Sequence, residues 1–219
     1  MPEKAAFFRL EGALSPVPTM ASAAWLAGHN PRLRSRVARL GDLALTAPLL
    51  LGGPLKSPGA GTRVTWMGLR DLGEDRLVEM GREFAERFLI PRLRPAGVRL
   101  VREAKKDHTV ILLSSNIAAV VEPIAAHLGV DEVVCNRMEM RHGRATGRLA
   151  EPVIHGHVGS EWARRFAEER GIDLKASSAY AGLDEDTLLL SAAGFPCAVH
   201  PRRHLRHVAA DLHWPIVEG

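Results

Sequence analysis

Thr109-Val110-Ile111-Leu112-Leu113-Ser114-Ser115-Asn116 passes from five strand-forming residues straight into three small polar ones. The lack of polar alternation across 109–113 suits a parallel strand covered on both faces, since a strand with one wet face would alternate. Outward from it the chain keeps a strand-then-helix rhythm. Ile117 to His127 reads as a helix stopped at Gly129, and Glu132-Val133-Val134-Cys135 as the next strand. Met138 to Leu149 holds Arg141-His142-Gly143 between extended pieces, the pattern of a β-hairpin. Ser160 to Arg170 is a helix ending at Gly171. Ala179-Tyr180-Ala181, Cys197-Ala198-Val199 and Pro215-Ile216-Val217 are further strands. Strands separated by helices imply right-handed crossovers and a mostly parallel sheet, with ligands at the carboxyl ends of the strands.

Toward the amino terminus, Ala5-Ala6-Phe7-Phe8 is a short buried strand ending in a loop with Gly12, Ser15, Pro16 and Pro18. Residues 20–105 change character and read as helical. Glu74 to Leu89 shows the clearest period, with Leu77, Met80, Phe84 and Phe88 on one face. Residues 52–63, rich in Gly and Pro, read as a connection inside this block.

The 219 residues are 46% hydrophobic and 25% charged, enough for one α/β domain or a core with a smaller inserted one. Two cysteines, Cys135 and Cys197, cannot build a disulfide framework or a four-cysteine zinc site, and they read as small core residues of a reducing compartment. No run of eighteen apolar residues exists, and Met1-Pro2-Glu3-Lys4 lacks the order of a signal peptide, so a cytoplasmic protein without a membrane span is expected. Of the 29 basic residues, all but five lysines are arginine, and the net charge is +4. They are spread along helices beside acids. The densest cluster, Arg202, Arg203, His204, Arg206 and His207, reads as a solvated helix face, so nucleic acid is not an expected partner.

Three loops in order, Arg9 to Gly12, Ser114 to Asn116 and Gly182 to Asp186, carry a resemblance to the haloacid dehalogenase superfamily, in its phosphoserine-phosphatase-like branch. Phe8-Arg9-Leu10-Glu11-Gly12-Ala13-Leu14 resembles the family's Phe-Asp-Leu-Asp-Gly-Thr-Leu signature. Ile111 to Asn116 is similar to its second motif, Gly143 to Leu149 to the branch's hairpin, and Tyr180 to Leu190 to its fourth motif. The resemblance implies a Rossmann-like α/β core over 1–19 and 91–219, a helical cap inserted at 20–90 and a small β-hairpin. It further implies phosphomonoester chemistry: one Asp attacks phosphorus, a second protonates the leaving oxygen, Ser and Lys hold the phosphoryl oxygens, and an Asp of the fourth motif helps hold Mg²⁺.

At these positions the chain departs from the pattern. Arg9 stands at the nucleophile, Glu11 at the acid, Gly159 at the lysine and Gly182 at the metal-binding Asp, while Ser114 and Asp186 remain. A guanidinium stays protonated and has no free lone pair, so Arg9 cannot accept a phosphoryl group. Arg9 with Glu11 and Asp186 carries the same net formal charge, −1, as four carboxylates with Lys and Mg²⁺, so the losses read as mutually compensating. No catalytic residue and no metal or other cofactor are expected, with Mg²⁺ entering only if the chain hydrolyses after all. The expected ligand-binding set is Ser114, Asn116, Arg9, Glu11 and Asp186.

Plainer readings stand beside these. Arg9 is either an ion-pair partner of Asp186, Glu11 or both, or an anion-binding residue. Ser114 and Asn116 could cap the helix near Ile117. Asp186 could serve a helix dipole. His155-Gly156-His157 is either a surface loop or part of a metal site. The leading expectation is a catalytically degenerate phosphatase-fold protein, or pseudophosphatase, that binds a protein partner or a small anion. The alternatives are a phosphomonoester hydrolase and a phosphometabolite sensor. Arg9 folded onto Asp186 favours the first of the three, and a free cationic pocket favours the sensor. Restoring Arg9→Asp with Gly182→Asp is expected to recover Mg²⁺ affinity.

Overall fold

The computed structural model describes residues 4–29, 66–154 and 158–218. Six strands form one parallel sheet in the order β3-β2-β1-β6-β7-β8: β1 is Ala5–Arg9, β2 Thr109–Ile117, β3 Glu132–Asn136, β6 Ser178–Ala181, β7 Phe195–Val199 and β8 Ile216–Val217. β1 lies at the centre, with Phe8 in register with Leu112 on one side and Tyr180 on the other. All five of its residues are buried. Alternation along the strand divides them between two cores. Ala6 and Phe8 join Leu112 and Val120 in one, and Ala5 and Phe7 join Ile111, Leu113 and Phe166 in the other. That double cover is why the apolar run at 109–113 does not alternate.

Seven α-helices are described: α1 Thr19–Gly28, α2 Glu74–Phe84, α3 Pro95–Ala104, α4 Ala118–Leu128, α5 Val158–Arg170, α6 Thr187–Ala192 and α7 Arg203–Asp211. Gly129 ends α4 in the left-handed conformation, at φ 64°, as the sequence predicts. The face expected on Glu74 to Leu89 holds for Leu77, Met80 and Phe84 and then shifts. Ala85–Leu89 forms a π turn, which brings Ala85 and Leu89 inward and leaves Phe88 half-buried, its ring 5.3 Å from that of Phe84. α2 and α4 approach closely at Gly81, where an added Cβ would collide with the Ala119 carbonyl. Pro123, lacking an amide hydrogen, cannot bond that carbonyl within the helix, so it is left facing α2.

β4 (Met138–Arg141) and β5 (Arg144–Leu149) form the antiparallel hairpin. His142 and Gly143 both have positive φ, 50° and 70°, as a two-residue type I′ turn demands. Asp71 and Leu72 exchange backbone hydrogen bonds with Ala145, which ties the hairpin to the entry of α2. Arg202, Arg203, His204, Arg206 and His207 are all exposed, as expected of a solvated helix face. No helix among the described residues is long and apolar enough to cross a membrane. The Gly- and Pro-rich connection at 52–63 and His155-Gly156-His157 lie outside the described residues.

Candidate functional site

β1, β2 and β6 run parallel and end side by side, so their carboxyl ends deliver Arg9, Ser114 and the Gly182–Asp186 turn to one place. Arg9 is the last residue of β1 and its side chain is 1% exposed. Its Nε lies 2.9 Å from Asp186 Oδ1, a close ion pair without the alignment of a directed hydrogen bond. Nη2 lies 3.7 Å from Glu11 Oε2 and 3.8 Å from Glu185 Oε1, and donates to Ser115 Oγ at 3.3 Å. Nη1 is buried with no hydrogen-bond partner among the described residues. Burial works against this charge, but Asp186, Glu11 and Glu185 outweigh it and hold the guanidinium above its ordinary value.

Glu11 is the second centre. Its Oε1 accepts from Ser114 Oγ at 2.6 Å and from Thr19 Oγ1 at 3.3 Å, and its Oε2 accepts from the Ser115 amide at 3.3 Å. Ser114 Oγ accepts in turn from the Asn116 amide. Asn116 points elsewhere: its Nδ2 donates to Ser22 Oγ at 2.8 Å, and its Oδ1 accepts from the Ile117 amide. The capping reading of Ser114 and Asn116 is therefore corrected. β2 continues through Ile117, so both residues are still in the strand, and α4 starts without a side-chain cap.

Asp186 closes a single 3₁₀ turn, Asp184–Asp186, and is 1% exposed. Its Oδ2 accepts from the Leu183 amide at 3.3 Å. Burial raises its carboxyl, Arg9 opposes that and Glu185 adds to it, and the balance stands at about 6. The helix-start reading of Asp186 holds in part, since its carboxylate accepts from the Leu183 amide at the head of the 3₁₀ turn, and the ion pair with Arg9 is added to that role. Asp184 serves another helix end, accepting from the Leu205 amide of α7 at 2.8 Å.

The family's metal position is closed by backbone. A Cβ at Gly182 would lie 2.5 Å from the Val199 carbonyl oxygen and 2.8 Å from Gly12 C, so no aspartate fits there without a backbone shift. Gly12 itself has φ +82°, and a Cβ on it would meet Leu183 Cγ at 2.8 Å. With the carboxylate gone, the space packed and a guanidinium supplying the positive charge, the residues present do not fit Mg²⁺. Arg9→Asp with Gly182→Asp would have to displace this backbone before a metal site could form. Gly159, at the lysine position, is the second residue of α5. Cys135 and Cys197 lie on β3 and β7, and burial pushes their thiols up to about 12 and about 11, away from nucleophilic use.

The site thus joins Arg9, Glu11, Ser114 and Asp186, as the sequence suggests, and sends Asn116 into the support of α1. It adds Ser115, Thr19, Ser22 and Glu185. Ser115 and Glu185 adjoin named residues and could be found by proximity. Thr19 and Ser22, at the start of α1, carry no signal of their own.

The profile of the haloacid dehalogenase-like hydrolases matches residues 6–190, and the chain belongs to that family. Among curated relatives, the "Inhibition of morphological differentiation protein" of Streptomyces azureus is 38% identical over 110 residues, covering 50% of this chain and 39% of that one. A phosphoserine phosphatase of Mycobacterium tuberculosis is 28% identical over 142 residues, covering 64% of this chain and 46% of that one. The chain thus spans under half the length of these two relatives. A solved protein of unknown function from Bordetella pertussis Tohama I shares the fold, with a TM-score of 0.83 and 22% identity over 100% of this chain and 99% of that one.

Proposed function

We propose that this chain is a non-hydrolysing member of its family, a cytoplasmic protein that acts by binding a partner protein rather than by transferring a phosphoryl group. The observation that carries the reading is Arg9 at the nucleophile position, 1% exposed and 2.9 Å from Asp186. A group that is always protonated cannot open the covalent route used by carboxylate nucleophiles. Its fold onto Asp186 directs the guanidinium at a carboxylate of the chain itself, which favours partner binding over the metabolite sensor.

A phosphomonoester hydrolase is the second reading, and the relatives named phosphoserine phosphatase favour it. It would need a different nucleophile, and Glu11 is the carboxylate nearest Ser114. A panel of phosphomonoesters with Mg²⁺, run against Ser114→Ala as control, separates the two. No turnover above that control is expected. Turnover that Ser114→Ala abolishes would sink the non-hydrolysing reading and leave the second in its place.

A further inference from the structure

Donors from three elements converge on the Glu11 carboxylate. The Ser114 hydroxyl reaches it at 2.6 Å, the Ser115 amide and the Thr19 hydroxyl each at 3.3 Å, and Arg9 Nη2 stands at 3.7 Å. Two hydroxyls, a backbone N–H and a guanidinium are the donors that bind an oxyanion, and a carboxylate that collects them is an anion in its site. The 2.6 Å contact is in the range of charge-assisted bonds. Arg9 Nη1, buried and without a partner among the described residues, is donor capacity that Glu11 leaves unused.

We infer that these groups form an oxyanion-binding site kept occupied by the chain's own Glu11, and that a phosphate or other tetrahedral oxyanion binds only when that carboxylate is withdrawn. This builds on the binding reading above and explains why a retained Ser114 need not mean a retained substrate. A monoanion replacing Glu11 leaves the charge of the cluster unchanged. One added beside it brings a second negative charge against Asp186 and Glu185, which the single guanidinium cannot balance. Occupation by Glu11 therefore excludes phosphate through both shape and charge. A partner segment that drew Glu11 outward would expose the donors, and that couples partner binding to anion binding.

The test is a calorimetric titration of inorganic phosphate into the wild type, Glu11→Ala and Glu11→Gln. The wild type should show no saturable binding at millimolar phosphate, and Glu11→Ala should bind ~10-fold more tightly or better. Adding Ser114→Ala to Glu11→Ala should abolish the gain. Equal affinity in wild type and Glu11→Ala, or a gain that survives loss of Ser114, overturns the inference. If Glu11→Ala does not fold, Glu11→Gln keeps the volume without the charge and should still bind more tightly than wild type; a folded Glu11→Gln that does not overturns it as well. A wild-type melting temperature that rises saturably with phosphate overturns it whichever variants fold. Phosphomonoester turnover is assayed separately in the same samples, so hydrolysis would break the proposed function without touching this inference.

Discussion

The carboxyl end of β2 and the loop after β6 flank the same arginine and differ in what they offer it. Near the end of β2, Ser114 and Ser115 present a hydroxyl and an amide toward the site, and Glu11 takes both. After β6, the position where the family holds metal is a glycine pressed against Val199 and Gly12, with Leu183 lying over Gly12. The strand end holds a set of donors with Glu11 as their acceptor. The loop after β6 has no space for a side chain at Gly182. Hydroxyls and amides in a buried site must be satisfied whatever the site does, so the donors keep an acceptor. A packed backbone leaves no such latitude beside Gly182.

The largest effect is expected at the contact between the two sides. Among the described residues, Asp186→Ala leaves the buried Arg9 guanidinium with Glu11 at 3.7 Å and the half-exposed Glu185 at 3.8 Å, and should destabilise the protein by about 3 kcal/mol in urea denaturation. Arg9→Met with Asp186→Leu removes both charges and should cost less than Asp186→Ala alone. Should the double variant prove the worse of the two, the pair is not the compensating unit described here.

Gly182→Asp comes next and probes the closed loop directly. Its side chain must displace the Val199 carbonyl or Gly12, so a loss of roughly 1–3 kcal/mol is expected with no gain in Mg²⁺ affinity by calorimetry. Stoichiometric micromolar Mg²⁺ binding by this variant, with or without Arg9→Asp, would show the loop to be less committed than its packing indicates.

Much of this was legible in the chain. The parallel core follows from unbroken apolar strands such as 109–113, and the hairpin turn from His142-Gly143, whose positive φ values call for a residue like glycine. The pairing of Arg9 with Asp186 follows from charge, since an arginine at the end of a buried strand needs an acid. Side-chain direction beyond a strand end was not legible. Nothing in the spacing says that Asn116 turns to Ser22, or that Leu183 rather than solvent covers Gly12. The π turn at Ala85–Leu89 was hidden for a related reason, because a 3.6-residue period predicts Phe88 inward until one extra residue rotates the face.

A smaller effect concerns pH. Burial raises the Asp186 carboxyl to about 6 from 3.8, so between these values the folded protein holds a proton that the unfolded chain has released. This residue's contribution to stability is therefore present in full below the unfolded value and is lost as pH rises through about 6. Denaturation midpoints measured from pH 4 to pH 7 should carry this downward component, and Asp186→Asn should remove it. A wild-type profile with the same slope as the variant would mean that Arg9 holds Asp186 ionised throughout.

The smallest effect is expected one residue away. Glu185 faces the same guanidinium at 3.8 Å, yet its side chain is 50% exposed against 2% for Asp186. Water and salt screen an exposed pair, and a long side chain loses rotamer freedom in holding it, so Glu185→Gln should change stability by less than about 0.5 kcal/mol. Any difference should shrink further as salt is raised from low ionic strength toward 1 M, where screening acts within ~3 Å. The two acids share a partner and a turn and differ chiefly in burial. A Glu185→Gln loss approaching that of Asp186→Ala would mean that the Arg9 cluster is held by total charge, and that enclosure by the β6 loop is not what sets its strength.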